Sequence, residues 1–298
     1  MILVPSVSLE TVMNSSLDVL LPTVWFDGDT DGRVMVADSL SFFEHEPWLN
    51  DVAVGASFAG APTAAMALRG GVKAWVAHEG GPGKDDAGVS GLVLSQRLGI
   101  PAAAIATNTA RLSGGMSLIT GTVSRANEAA LRLGVRAGQT GGEAAKLMLK
   151  APRARSFNLD GIIDESIHEV VSTREGKIYA VWSSSRVKGE HPNDVFCLAS
   201  HGGKVMAQYA LAIKPRGVIA NDAGGGLDNS GMDGLDVFER VSRTPAATVS
   251  TNSARIGDAL STYHDGIISA ANQSASALGI KVGMPARRAA ELMLSAKR

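Results

Sequence analysis

The stretch that most restricts what this chain can become is one that it states twice. Residues 245–258 read PAATVSTNSARIGD and residues 101–114 read PAAAIATNTARLSG, with Pro, Thr, Asn, a hydroxyl residue, Ala and Arg in one order at a spacing of 144. The likeness runs well beyond the motif. DGRVMVADS from Asp31 answers EGKIYAVWS from Glu175, and NDVAVGAS ending at Ser57 answers NDVFCLAS ending at Ser200. GVRAGQTGGEAAKLML from Gly134 answers GIKVGMPARRAAELML from Gly279. The blocks keep their order while the offset drifts only from 143 to 145, so the chain reads as two copies of one unit, residues 1–150 and 151–298, joined near Ala151–Gly161.

Within each copy the hydrophobic period changes in the same way. A turn signal, DGDTDGR or TREGK, separates two short alternating runs, the pattern of a β-hairpin. DVAVGAS and DVFCLAS are short and almost wholly apolar, as strands covered on both faces are, and each leads into an Ala-rich helical stretch, APTAAMALRGG or KVMAQYALAI. A second apolar run (VKAWVAHE or RGVIAND), a Gly-rich loop, a helix such as GLDVFERV and a third run (PAAAIAT or PAATVST) complete a βαβαβ unit. Right-handed crossovers make such a unit a parallel sheet. Further helices are expected in ISAANQSASALG and PARRAAELMLSA. The fold class is therefore α/β and internally duplicated: two pseudo-twofold-related parallel-sheet βαβαβ units, each with an N-terminal β-hairpin and C-terminal helices.

Composition removes several classes of function. With 28 basic and 29 acidic residues the net charge is -1, which offers neither nucleic acid nor an anionic membrane an electrostatic footprint. Cys197 stands alone and forms no internal disulfide; inside an apolar strand it reads as an inert core thiol. The first twenty residues lack the basic and apolar pattern of a secretory leader, and no run approaches a membrane span of about eighteen residues. A cytoplasmic protein with a small-molecule partner is expected, and self-association stays open. No cofactor motif or metal-ligand spacing is present; His45, His168 and His191 read as loop or surface residues.

Parallel sheets bind ligands beyond the carboxyl ends of their strands, and the polar clusters of this chain fall there. In the second copy these are Ser200-His201-Gly202-Gly203, Asn221-Asp222-Ala223-Gly224-Gly225-Gly226 and Thr251-Asn252-Ser253-Ala254-Arg255. The first cluster is either a tight turn with Ser200 as helix N-cap, an anion site on helix N–H groups, or a serine nucleophile in an incomplete elbow motif. His201 suits a substrate donor better than a base for its neighbour. Asp222, ending an apolar strand, is the candidate acid–base group, with Asn221, Gly202, Gly224 and Gly225 beside it. Ser230 and Asp233 match a capping box. Asn252 and Ser253 suit a chain-reversing turn, and Arg255 offers a forked donor for a carboxylate, either a substrate's or that of Asp258. His264 follows close by as a second candidate acid–base group. The first copy places Ser57, His78, Glu79, Asn108 and Arg111 at the matching positions, a second and differently furnished crevice, with Gly114 where the second copy has Asp258.

Three classes of function fit these residues. One is a hydrolase cleaving an amide or ester bond of a polar, carboxylate-bearing metabolite, with Ser200, Asp222 and His264 as catalytic candidates and Arg255 holding negative charge. The second is a lyase or isomerase in which Asp222 or His264 moves a proton. The third is a ligand-binding or scaffold protein without catalysis.

Overall fold

The computed structural model describes residues 19–297, so most of the segment read above for a leader lies outside the described residues. Strands β1 (Thr23–Asp27), β2 (Arg33–Ala37), β3 (Val52–Phe58), β4 (Ala74–His78), β5 (Ala102–Ile105) and β6 (Val123–Ala126) form one sheet in chain order. The expected hairpin is β1 against β2. From β2 to β5 the pairing is parallel, and β6 closes the sheet antiparallel to β5. Helices α1 (Ala61–Arg69) and α2 (Ser90–Arg97) make the crossovers, and α3 (Gly115–Thr120), α4 (Glu128–Arg132) and α5 (Gly141–Met148) follow.

Alternation along the strands sorts the core into two layers. Ala53, Trp75, Ala77, Ala102 and Ala104 pack with residues of α1 and α2, while Val52, Val54, Val76, Ala103 and Ile105 pack with those of α3 and α5. Both faces are covered, which is why β3 and β4 read as unbroken apolar runs. The segment joining the sequence copies runs back over the first layer, where Phe157 N–H donates to Leu68 O at 3.1 Å and Leu159 joins the core.

The second sheet repeats the plan. Strands β7 (Ile167–Ser172), β8 (Lys177–Val181), β9 (Val195–His201), β10 (Gly217–Asn221), β11 (Ala246–Val249) and β12 (Ile268–Ala271) have the same order and the same alternation of pairing sense. Helices α6 (Lys204–Ala212), α7 (Gly234–Val241), α8 (Ala259–His264), α9 (Gln273–Ala277) and α10 (Ala286–Ser295) occupy positions matching α1 to α5. One expectation needs correction. ISAANQSASALG is not a helix throughout, because its first four residues are β12, whose Ser269 hydroxyl meets that of Thr248 on β11 at 3.1 Å. Small residues with helical propensity pair as a strand here because β11 would otherwise present an open edge.

The chain divides into two compact units that do not follow the sequence copies throughout. One comprises Leu20–Ile163 together with Ala223–Gly231, and the other the described parts of Asp164–Asp222 and Met232–Arg298, with Val19. No helix among the described residues is long and apolar enough to cross a membrane.

Each unit ties its hairpin to its last helix with a cation. Lys73, almost fully buried ahead of β4, donates to Asp31 O at 2.5 Å, Leu149 O at 2.7 Å and Asn50 Oδ1 at 3.4 Å. Arg216, ahead of β10, donates in the same manner to Glu175 O at 3.1 Å and to Ala296 O. Burial lowers the pKa of the Lys73 ammonium, an effect that Asp31 and Asp51 oppose. The unfolded chain thus holds this proton more tightly than the folded one, and stability rises with pH between the folded value and the ordinary lysine value of 10.5. Lys73→Met is expected to abolish that alkaline slope while lowering stability near neutrality by about 2–4 kcal/mol through the orphaned carbonyls. Urea unfolding at several pH values measures both.

Candidate functional site

The carboxyl ends of the central strands are built around the repeated T-N-[T/S]-A-R. In the first unit β4 ends at the fully buried His78, whose Nδ1 accepts Gly80 N–H at 2.9 Å. The proton therefore sits on Nε2, which points at the carbonyls of Thr107 and Ala110, 3.1 Å from each. Burial holds this imidazole below the usual histidine range, against the pull of those two carbonyls and of Glu79. Glu79 accepts the N–H and the hydroxyl of Thr107, both at 2.8 Å, through Oε1, and the Ser124 hydroxyl at 2.6 Å through Oε2. The Thr109 hydroxyl donates to Ala106 O and accepts Thr122 N–H, both at 2.9 Å, and Arg111 N–H donates to Ser117 Oγ at 2.8 Å.

The second unit makes the same bonds with different groups. Asn221 Nδ2 donates to Ala254 O at 3.2 Å and Asp222 Oδ1 accepts Thr251 N–H at 3.0 Å. The Ser253 hydroxyl donates to Ser250 O at 2.7 Å and accepts Ile267 N–H at 2.9 Å, while Arg255 N–H donates to Ser261 Oγ at 3.0 Å. Thr and Ala thus tie the loop to the residues ending β4 or β10, the hydroxyl residue ties it to its own start and to the residue before β6 or β12, and the Arg N–H ties it to the following helix. Asn108 and Asn252 are exposed, and their side-chain amides bond to nothing among the described residues.

Asp258 occurs in one copy only because the copies cap the following helix differently. In the first unit Asp38, 4% exposed at the end of β2, accepts Gly115 N–H at 2.7 Å and Leu20 N–H at 3.1 Å, so the start of α3 is capped from a neighbouring strand. Trp182 stands at the position matching Asp38 and carries no acceptor. Asp258 replaces the missing cap locally by accepting Ser261 N–H at 2.9 Å. Its approach to Arg255 is a loose 3.9 Å, with both side chains 43% exposed.

The two strand-end serines differ as well. Ser57 Oγ accepts Leu40 N–H at 2.9 Å and lies 3.1 Å from Ser39 Oγ. Ser200 Oγ is buried and has no hydrogen-bond partner among the described residues. It does not cap α6, whose N-cap is Gly203 without a side-chain bond. His201 Nδ1 accepts Gly203 N–H at 3.1 Å, and Gly202 N–H donates to Asn221 O at 2.8 Å. Ser230 forms no capping box with Asp233; its hydroxyl accepts Leu112 N–H at 2.9 Å instead.

Ser200, His201, Gly202, Asn221, Asp222, Asn252, Ser253 and Arg255 therefore fall at one end of the second sheet, within one unit. Gly224 and Gly225 belong to the other unit. His264 is exposed and is the last residue of α8, whose N-cap is Asp258. Ser57, His78, Glu79, Asn108 and Arg111 share the matching end of the first sheet. Cys197 is buried, and desolvation pushes its thiol up to about 12. No group of three His, Cys, Asp or Glu among the described residues is placed to hold a metal ion. Two cavities of about 490 and 290 Å³ lie at the opposite, amino end of the first sheet, with Arg153 lining both.

Comparison with protein families, with curated proteins and with solved structures finds no match for this chain.

Because its folded pKa is depressed, His78 contributes stability that is complete above the ordinary value of 6.5 and is lost as pH falls from there toward the folded value. His78→Asn, which borrows the amide used at position 221, is expected to cost about 1–2 kcal/mol and to remove that acid sensitivity; His78→Ala is expected to cost about 2–4 kcal/mol. Thermal unfolding between pH 5 and 8 distinguishes them. The two caps are expected to rank by burial. Asp258→Ala should lose about 1 kcal/mol, and Asp38→Ala about 2–3 kcal/mol because two backbone N–H groups lose their acceptor, as read by denaturant midpoints.

Proposed function

We propose that the carboxyl end of the second sheet binds a small polar metabolite carrying a carboxylate, and that the protein hydrolyses an amide or ester bond in it. The observation that carries this reading is the Ser200 hydroxyl, buried at a strand end without a partner among the described residues while Ser57 bonds Leu40 N–H and Ser39. Burying such a group unbonded costs about 1–3 kcal/mol, a cost that a ligand atom reaching the hydroxyl removes. Arg255, 43% exposed at this end of the sheet, supports the carboxylate, since a forked guanidinium matches a carboxylate's two oxygens.

Among the described residues no imidazole or carboxylate bonds to Ser200 Oγ. The hydroxyl is accordingly assigned as a substrate contact rather than an activated nucleophile. Water is then the attacking group: Asp222, the carboxylate that follows β10, is assigned to take its proton as the oxygen bonds the carbonyl carbon and to return it to the amine or alcohol that leaves when the C–N or C–O bond breaks. The lyase or isomerase alternative uses Asp222 or His264 as the acid–base group, and of these Asp222 stands at this end of the sheet while His264 is exposed on the last residue of α8.

The recurrence of strand order, pairing sense and loop hydrogen bonds supports a further reading, that the two sheets arose by duplication of one unit and are related by a pseudo-twofold. The experiment is a screen of carboxylate-bearing amides and esters by thermal shift, followed by turnover of the hits. Ser200→Ala and Arg255→Lys are each expected to lower kcat/KM at least about tenfold, roughly 1.4 kcal/mol, with Tm nearly unchanged. Ser57→Ala is expected to do the reverse, losing stability with its kinetics intact. Full turnover in Ser200→Ala would remove the site.

A further inference from the structure

The cavity of about 290 Å³ at the amino end of the first sheet is lined entirely by residues of that sheet's own unit. Much of the lining is apolar: Leu98, Ile100 and Pro101 from the loop between α2 and β5, and Pro152 and Phe157 from the segment that leaves α5. The repeated plan does not call for this. The second copy has Ser242, Arg243 and Thr244 where the first has Leu98, Gly99 and Ile100, and the hydroxyls of Ser242 and Thr244 meet each other at 2.8 Å. A loop that folds with polar residues in one copy has no structural need of apolar ones in the other.

The charge on the lining is of one sign. Lys73, Arg153 and Arg155 contribute to it, and no Asp or Glu does. The Lys73 ammonium is committed to the carbonyls of Asp31 and Leu149. Arg153 and Arg155 are exposed, and neither guanidinium has a hydrogen bond or a carboxylate partner among the described residues; that of Arg155 lies 5.6 Å from the Phe157 ring. The backbone that carries them is fixed. Ala154 N–H, between the two, donates to Leu49 O at 2.8 Å, Phe157 N–H donates to Leu68 O at 3.1 Å, and the chain passes so close to Gly71 that a Cβ there would lie 2.9 Å from Ser156 N. Two cationic forks presented from a fixed stretch beside apolar side chains match a ligand with an anionic head and an apolar body. We propose that this cavity binds a small organic acid, its carboxylate gripped by Arg153 and Arg155 and its body against Leu98, Ile100, Pro101 and Phe157. The N–H groups of Gly99 and Ile100 are used on Gln96 O and Ser95 O, so the guanidinium groups are the donors assigned to the head. The volume suits a single ring or a short chain. The site lies in the other unit from Ser200 and stands independently of the hydrolase reading.

The test is titration of the full chain with benzoate, hexanoate and inorganic phosphate, followed by amide NMR shifts. Benzoate and hexanoate are expected to give saturable shifts at Gly99, Ile100, Ala154 and Phe157 with Kd of about 1 mM or below. Phosphate, which has the charge without the apolar body, is expected to bind at least about tenfold more weakly. A variant carrying both Arg153→Gln and Arg155→Gln is expected to keep its Tm, because both side chains are exposed, and to weaken both carboxylates at least about tenfold. Leu98→Ser, which borrows the residue of the second copy, is expected to weaken them about threefold or more. No saturable shift at these four amides up to about 20 mM of either carboxylate, or shifts confined to Thr251 and its neighbours, would overturn the site. Unchanged affinity in the double arginine variant would overturn the assigned head contacts. Phosphate binding as tightly as benzoate, or Leu98→Ser without effect, would overturn the organic-acid assignment.

Discussion

The constraint on which each half of this protein depends is the need to satisfy the backbone of a loop that turns away from the sheet. After β5 and β11 the chain leaves the ladder, and its N–H and C=O groups lose their strand partners. The residues ending the neighbouring strand supply replacements: one donor for the carbonyl of Ala110 or Ala254, and one carboxylate for the N–H of Thr107 or Thr251. Imidazole and amide do the first task, and Glu and Asp the second. What recurs is the bond, and several side chains can make it.

The two halves meet the same requirements with different groups. Lys73 and Arg216 both tie hairpin to last helix through backbone carbonyls. Asp38 caps α3 across the sheet, and where Trp182 takes its place Asp258 caps α8 from within the loop. Ser200 is the exception. The partners of Ser57, Leu40 N–H and Ser39, have no counterpart bond to it. A polar group that the fold engages at one position and leaves unbonded among the described residues at the matching one marks a place where the fold's requirements do not explain the residue.

Much of this was legible in the sequence because it is written twice. Repeated blocks at a near-constant offset located the hairpins, the buried strands and the crossover helices. The hydroxyl of T-N-[T/S]-A-R was readable as a turn stitch, and comparison of SLIT with the stretch containing Ser261 could have exposed the Ser117 and Ser261 acceptors, which share one position in their copies. The cap from Asp38 was not legible, since its partner Gly115 lies 77 residues away. Nor was the true role of Ser230: its spacing to Asp233 suggests a local capping box, but the group it accepts from is 118 residues distant.

By itself the sequence determined the two-sheet α/β plan, because hydrophobic period and turn chemistry are local properties that each segment carries with it. It also determined that polar groups collect at the strand ends, since apolar runs stop there. Only the tertiary structure decided what those groups do. Whether a strand-end side chain clamps a loop, caps a helix or remains unbonded depends on which distant backbone atoms the fold brings within about 3 Å of it. The same dependence sends Ala223–Gly231, written in the second copy, into the compact unit of the first sheet.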